Sequence, residues 1–229
     1  MASCDDGHID DPVYNGGSAT YTAQVTGTFQ SVGTWAGSYS VALACFNGES
    51  NYSLLQTVIP ASAEGENQVL TLTNIPTETK TIEVAIVNVL RKRIATLYSY
   101  NIPADQHLND TIKLNVGNLN VGMFGAINQF IFQGQATNCA RCHSGAAPAA
   151  DLDLSLANAY RNLVGIQATK DNTKTRVVAG NAQESFLYKV IAEGDANVGY
   201  SHPGLFADEN YAPFVEIIKN WINAGAREN

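Results

Sequence analysis

The hydrophobic periodicity of the chain changes once, and this change limits the folds open to it. Before about residue 118, apolar and polar residues alternate in short runs, as in 21–29 and 38–46. After about residue 120, apolar residues recur at intervals of three and four. Alternation is typical of half-buried strands, and spacing near 3.6 is typical of amphipathic helices. We therefore expect a short flexible leader over 1–11 and two folded domains over 12–118 and 119–229.

The first of these domains is predicted to be an antiparallel β-sandwich, immunoglobulin-like in outline. Seven short runs rich in β-branched residues fill about a hundred positions, and turn signals such as Asn47-Gly48 and Glu64-Gly65 separate them. The region holds no clustered His, Asp and Glu side chains, so it is interpreted as a scaffold, a spacer or a binding module. The basic run Arg91-Lys92-Arg93 predicts a solvated hairpin turn, with a docking patch for an acidic partner as the alternative.

The pentapeptide Cys139-Ala140-Arg141-Cys142-His143 predicts covalent attachment of one haem c. Two thiols at this spacing add to the two haem vinyl groups, and the imidazole that follows can ligate the iron. The alternatives are half of a zinc site or a thiol redox pair. Zinc would need a second ligand pair, whereas the other cysteines, Cys4 and Cys45, lie far apart and far upstream. A redox pair would need a βαβ pattern, which is absent.

The region around this motif predicts four helices. The first carries Met123, Ile127 and Ile131 on one face, and the second is capped by Ser155. The third begins with a capping box at Asn181. The last is the clearest, with apolar residues at i, i+3, i+4, i+7 and i+8 from Phe214 to Ile222. These helices predict an all-α domain over 119–229.

Several stretches here resemble class I c-type cytochromes of the kind attached to bacterial envelope and planctomycete-type proteins. They are 151–155 with 159–164, 176–181 with 185–191, and 221–226. The resemblance covers about 105 residues and implies a small all-α fold with its first and last helices crossed beside the haem. Five aromatic side chains are candidates for the haem pocket: Phe130, Phe132, Tyr188, Phe206 and Trp221.

The sequence departs from that family at the second iron ligand. The family usually supplies a Met in a Met-Pro context, but no Met follows Met123. Ser201-His202-Pro203-Gly204 stands at the corresponding place, so His202 is assigned as the distal ligand. The alternatives are a surface His202 with an open or water-bound iron, or ligation by Met123 or Lys189.

Ligation by two imidazoles predicts a low-potential, six-coordinate iron without an open position. The expected function is transfer of single electrons to and from redox partner proteins, with no catalysis of a substrate reaction. Two other hypotheses stay open: a haem peroxidase with an open distal site, and a surface protein whose sandwich binds a glycan or a protein. The net charge of −8 makes nucleic acid an unsuitable partner.

The amino terminus bears on the location of the protein. Haem c is attached outside the cytoplasm, and Ser3-Cys4-Asp5-Asp6 resembles the start of a mature bacterial lipoprotein. We therefore expect a cell-envelope location, in the periplasm or on the outer membrane. Any membrane attachment would run through a lipid on Cys4, with a free thiol or a disulfide to Cys45 as the alternative.

Overall fold

A computed structural model describes residues 20–35, 38–61, 64–108, 110–134 and 137–228. The predicted leader over 1–11 and the expected lipid attachment at Cys4 lie outside these residues. Cys45 is a free, fully buried thiol on a strand, where it packs as a small apolar side chain.

Seven strands form two sheets in the amino-terminal part of the described chain. One sheet has three strands in the order β4-β1-β7, and the other has four in the order β3-β2-β5-β6. The alternating burial of β1 places its apolar residues in the space between the sheets. The strands are β1 (Tyr21–Gln30), β2 (Tyr39–Phe46), β3 (Leu55–Val58), β4 (Asn67–Ile75), β5 (Thr81–Asn88), β6 (Arg93–Asn101) and β7 (Thr111–Asn120).

One strand pair departs from the expected antiparallel pattern. The first and last strands, β1 and β7, lie parallel to each other, with Thr22 opposite Thr111 and Gln30 opposite Asn120. The register shifts between Thr26 and Gly27, where the backbones approach closely. A Cβ atom on Gly27 would lie 2.4 Å from a Val116 methyl carbon, so this position excludes every larger residue.

The prediction of an all-α cytochrome c domain over 119–229 is wrong. The described structure is mostly β-sheet, and its helices are few and short. Most connections after residue 133 are turns, single β-bridges and short 3-10 helices. The α-helices are α1 (Met123–Ala126), which continues as a π-helix over Ile127–Phe132, then α2 (Ala159–Leu163), α3 (Phe186–Ala192) and α4 (Ala212–Asn223).

The predicted helix starts at Ser155 and Asn181 are turns instead. Ser155 accepts backbone hydrogen bonds from Asn158 and Ala159, so α2 begins four residues later than its predicted cap. The Asn181 side chain accepts from Glu184 N at 3.2 Å, but the helical backbone begins only at Phe186. Side chains that favour helix caps also favour isolated turns, and the apolar stretches here are too short to extend them into full helices.

The carboxy-terminal part packs directly against the four-stranded sheet. Trp35, Tyr39 and Ile94 contact the apolar cluster that the helices form around Ile127, Phe132 and Trp221. The Trp35 indole also donates a hydrogen bond to Val121 O at 2.5 Å. The two parts therefore share a continuous core.

Candidate functional site

Two histidines that are far apart in sequence face each other across a cleft in the carboxy-terminal part. The ring centroids of His143 and His202 are 6.2 Å apart, and their planes differ by 34°. Both side chains are half-buried. Two imidazoles on opposite sides of one metal ion, each with a bond of about 2.0 Å and about 1.1 Å from nitrogen to ring centre, have centroids roughly 6 Å apart. The spacing thus suits one metal ion between the rings.

Backbone carbonyls fix the protonation of both rings. His143 Nδ1 lies 2.9 Å from Ala149 O, and His202 Nδ1 lies 3.1 Å from Tyr200 O. A carbonyl oxygen can only accept, so each Nδ1 carries the proton and each Nε2 of a neutral ring keeps its lone pair. A carbonyl behind a ligating imidazole is the usual outer partner that orients it toward a metal.

Burial favours the neutral form of both histidines. Loss of solvent lowers the pKa of His143, and the nearby His202 lowers it further, although the Ala149 carbonyl works in the opposite direction. Burial also lowers the pKa of His202, against the effect of the Tyr200 carbonyl. A neutral imidazole is the form that ligates metals, so both rings are ready to do so near neutral pH.

The two cysteines of the pentapeptide sit on one short turn at the edge of the same cleft. Cys139–Arg141 is a 3-10 turn, and its continuation brings His143 N to 3.0 Å from Cys139 O. Cys139 is partly buried and lines the cleft, whereas Cys142 is exposed. Both are free thiols, and burial raises the pKa of Cys139 to about 11.

The cleft between the histidines is lined almost entirely by apolar side chains. Its empty space, open solvent included, amounts to about 740 Å³. The walls come from the helix before the motif, the turns after it, α3, the His202 loop and α4. Besides the two histidines and Cys139, the main apolar lining residues are Ile131, Phe132, Leu152, Leu154, Leu163, Phe186, Leu187, Val190, Ile191, Val198, Phe206 and Ile218.

A tight turn shapes the wall that precedes the cysteines. The π-helix over Ile127–Phe132 is followed by Gln133 and Gly134, and a Cβ atom on Gly134 would lie 1.8 Å from Phe130 O. Only glycine fits there, so the backbone can approach the last turn of the helix closely. Cys139 Sγ then lies 3.7 Å from Ile131 O, beside the wall that Ile131 and Phe132 form.

One cation interrupts the apolar lining. Arg176 is only 6% exposed and borders the cleft beside the exposed residues Thr169 and Lys170. Its guanidinium donates to the carbonyls of Asn162 (2.9 Å), Ala150 (3.0 Å) and Asp151 (3.0 Å) and to Thr169 Oγ1 (3.1 Å). Burial lowers its pKa, and the Asp151 charge partly offsets that effect.

The structure brings together some of the predicted site residues and separates others. Cys139, His143, His202, Phe132 and Phe206 all line the cleft, and Cys142 lies on the turn at its edge.

Three aromatic candidates lie elsewhere. Trp221 is buried against Phe124, with ring centroids 5.0 Å apart, and Phe130 borders a small apolar cavity beside Trp35. Tyr188 is half-buried against the helical core and is absent from the cleft wall.

The alternative ligands Met123 and Lys189 are also outside the cleft wall. Met123 is buried at the junction with the sandwich, where its backbone N–H donates a hydrogen bond to the Thr34 hydroxyl oxygen at 2.9 Å. Lys189 lies on α3 and is half-buried. Between His202, Met123 and Lys189, only His202 faces His143.

Neither Arg176 nor most of the apolar residues that line the cleft could be recognised from the sequence. Arg176 stands before two valines in an otherwise unremarkable turn, and nothing in its spacing marks it as buried. Leu152 and Leu154, which directly precede the predicted cap at Ser155, also form part of the wall. The available signal was alternation over Leu152-Asp153-Leu154, which predicts that both leucines face one side of an extended segment.

Two features are absent from the described residues. These residues contain no group of three or more His, Cys, Asp or Glu side chains placed to hold a metal ion by themselves. The described helices also include none with the length and apolar character needed to cross a bilayer.

Comparison with other proteins gives no relative for this chain. No family model matches it, and searches of curated proteins and of solved structures returned no significant match.

Proposed function

We propose that the chain is a monohaem c-type cytochrome that transfers single electrons at the bacterial cell envelope. One observation carries the proposal: His143 and His202 face each other at 6.2 Å across an apolar cleft, beside the cysteines of a Cys-x-x-Cys-His motif. The proposal concerns this attachment site and does not need the all-α fold that the sequence led us to expect.

The residues present fit a covalent haem. Cys139 and Cys142 would form the two thioether links, and His143 and His202 would be the axial ligands. Because the porphyrin supplies four nitrogen ligands itself, two protein ligands complete the coordination, and a larger cluster of metal-binding side chains is not required. The apolar lining suits the flat face of the macrocycle, with Phe132 and Phe206 among the residues that would contact it.

The haem would supply one-electron redox chemistry, and the chain would determine its reduction potential and its exposure to water. Two imidazoles favour ferric iron relative to His/Met ligation, so the residues predict a low reduction potential. The Ala149 and Tyr200 carbonyls hold both rings in place and strengthen them as ligands. The apolar walls would keep water away from the haem, and ligation by both histidines would leave the iron no open position for a substrate.

Envelope location and redox partner proteins belong to the same proposal. Haem c is attached outside the cytoplasm, so a protein that carries it would be exported to the envelope. The sandwich would then serve as a spacer that shares a core with the haem-binding part.

The test is to produce the full chain with an export signal in cells that carry haem c maturation machinery. We expect a coloured protein whose haem survives acid-acetone extraction and whose mass exceeds that of the polypeptide by one haem. Reversible reduction without turnover of peroxide is also expected. Purified protein that is fully exported but carries no covalent haem would overturn the proposal. As a matched control, the double variant C139A/C142A would be exported without colour.

A further inference from the structure

The buried guanidinium of Arg176 forms no ion pair among the described residues, and the carboxylate of Asp151 acts on it only from beyond ion-pair distance. Its four hydrogen bonds all go to neutral oxygens, three of them backbone carbonyls. Of the four ion pairs between described residues, none includes Arg176, so no described carboxylate lies within 4.0 Å of it. Burying an ion without an ion-pair partner is unfavourable because the ion loses its hydration, so a cation held in this way favours the binding of an anion beside it.

The surroundings of Arg176 indicate where that anion would lie. Carbonyl groups from Asn162, Ala150 and Asp151 hold one side of the guanidinium, while Arg176 itself borders the cleft. The Thr169 hydroxyl accepts a hydrogen bond from Arg176 and donates one to Ala150 O at 2.7 Å, so it links the guanidinium to that carbonyl. Lys170 adds a second cationic side chain at the rim.

The cleft therefore has an apolar body and one cationic corner. A ligand that matches it is flat and apolar over most of its area and carries carboxylates along one edge. Haem has this distribution, because both of its propionates leave the macrocycle from the same side. The contacts above occupy Nη2 and one Nη1 N–H of Arg176, so Nε–H and the second Nη1 N–H are the donors left for a carboxylate. A hydrogen bond between two charged groups is about twice as strong as one between neutral groups.

We propose that Arg176 is the binding site for a haem propionate, with Thr169 holding the guanidinium in place and Lys170 adding positive charge at the rim. This inference rests on the proposed function, since it assumes a haem in the cleft. It makes Arg176 a residue that orients the haem and raises its reduction potential, because a nearby positive charge favours the ferrous state.

The experiment compares matured full-length wild type with Arg176→Gln, Arg176→Lys and the control Arg161→Gln. The control removes an exposed arginine of α2 in the same part of the chain. Resonance Raman spectroscopy reads the propionate bending band, which reports hydrogen bonding to the propionates, and spectroelectrochemistry reads the midpoint potential. We expect Arg176→Gln to shift the band and lower the potential, Arg176→Lys to recover part of the potential, and Arg161→Gln to change neither.

Thr169→Val keeps the test decisive if Arg176→Gln does not fold. Thr169 is exposed, and its replacement leaves Arg176 and the three carbonyl contacts in place. A smaller band shift in the same direction is expected for this variant. An unchanged propionate band in the folded variants would overturn the inference, even with haem attached. Absence of covalent haem in the wild type would instead overturn the proposed function, so the two failures are distinguishable.

Discussion

His143 and His202 face each other with ring centroids 6.2 Å apart, although 58 residues separate them in sequence. The turn after the two cysteines positions His143, and the loop before the Pro203–Phe206 3-10 turn positions His202. A carbonyl behind each ring leaves both Nε2 atoms available as ligands. The first prediction concerns the more distant of these two residues.

If the chain carries the proposed haem, replacing His202 will change the coordination of the iron and its reduction potential. In His202→Ala the iron loses one axial nitrogen, so we expect a high-spin ferric spectrum and binding of cyanide. In His202→Met, a thioether ligand would raise the potential by on the order of 0.1 V or more, within the roughly 0.8 V range that axial ligands span. Optical titration with cyanide and spectroelectrochemistry measure the two effects.

His107→Ala is the matched control, because His107 is exposed on a loop of the sandwich and should leave both readings unchanged. A His202→Ala protein that stays low-spin and does not bind cyanide would show that another residue is the distal ligand.

The two cysteines of the motif will each contribute one thioether link. Cys142→Ala should leave haem attached through Cys139 alone, which shifts the absorption band of the alkaline pyridine derivative toward that of a singly linked haem. Cys139→Ala should do the same through Cys142. Cys45→Ala is the control, because Cys45 is fully buried in the sandwich and should leave attachment unaffected. A doubly linked spectrum in either single variant would contradict this assignment.

Thiol labelling of protein produced without haem will distinguish the three described cysteines. Only the thiolate reacts, and burial raises the pKa of Cys45 to about 12 and that of Cys139 to about 11. At pH 8 we therefore expect iodoacetamide to modify exposed Cys142 first. Labelling of Cys139 should increase as the pH rises toward 11, and that of Cys45 should lag behind both. Mass spectrometry of peptides measures each rate, and equal rates for Cys45 and Cys142 at pH 8 would contradict the structure.

Because the two parts share a core, a substitution in the sandwich is expected to destabilise the carboxy-terminal part as well. Trp35 packs on the helical core and donates to Val121 O, so Trp35→Ala should lower the free energy of unfolding by roughly 2 to 4 kcal/mol. Tyr52→Ala is the control: Tyr52 is 50% exposed, and its loss should cost about 0.5 kcal/mol or less. Urea unfolding followed by haem absorbance measures both. An unchanged haem transition in Trp35→Ala would show that the two parts unfold independently.

The strands could be predicted from the sequence because alternation and turn residues are local signals. All seven observed strands overlap the seven alternating runs. Which strands share a sheet, and the parallel pairing of β1 with β7, could not be predicted, because period-two alternation carries no information about strand order or direction. The prediction that Arg91-Lys92-Arg93 forms a solvated turn is wrong for Arg93. This residue lies on a strand and forms an ion pair with the buried Glu83 at 2.6 Å.

The carboxy-terminal part shows where pattern reasoning fails. Phe214 to Ile222 lie on a real helix, since five apolar residues over more than two turns define one face. At the predicted starts Ser155 and Asn181 the chain forms turns, and α2 and α3 begin only four and five residues later, because cap residues alone do not start a helix. His202 could be placed from its position relative to the motif, whereas burial of Arg176 follows from tertiary packing and has no local sequence signal.

Electron paramagnetic resonance of the matured ferric protein tests the central claim most directly. Two imidazoles whose planes differ by 34° predict a rhombic low-spin spectrum with three resolved g values, unchanged by cyanide. A high-spin ferric signal, or purified and fully matured protein without any haem signal, would contradict an iron held between His143 and His202.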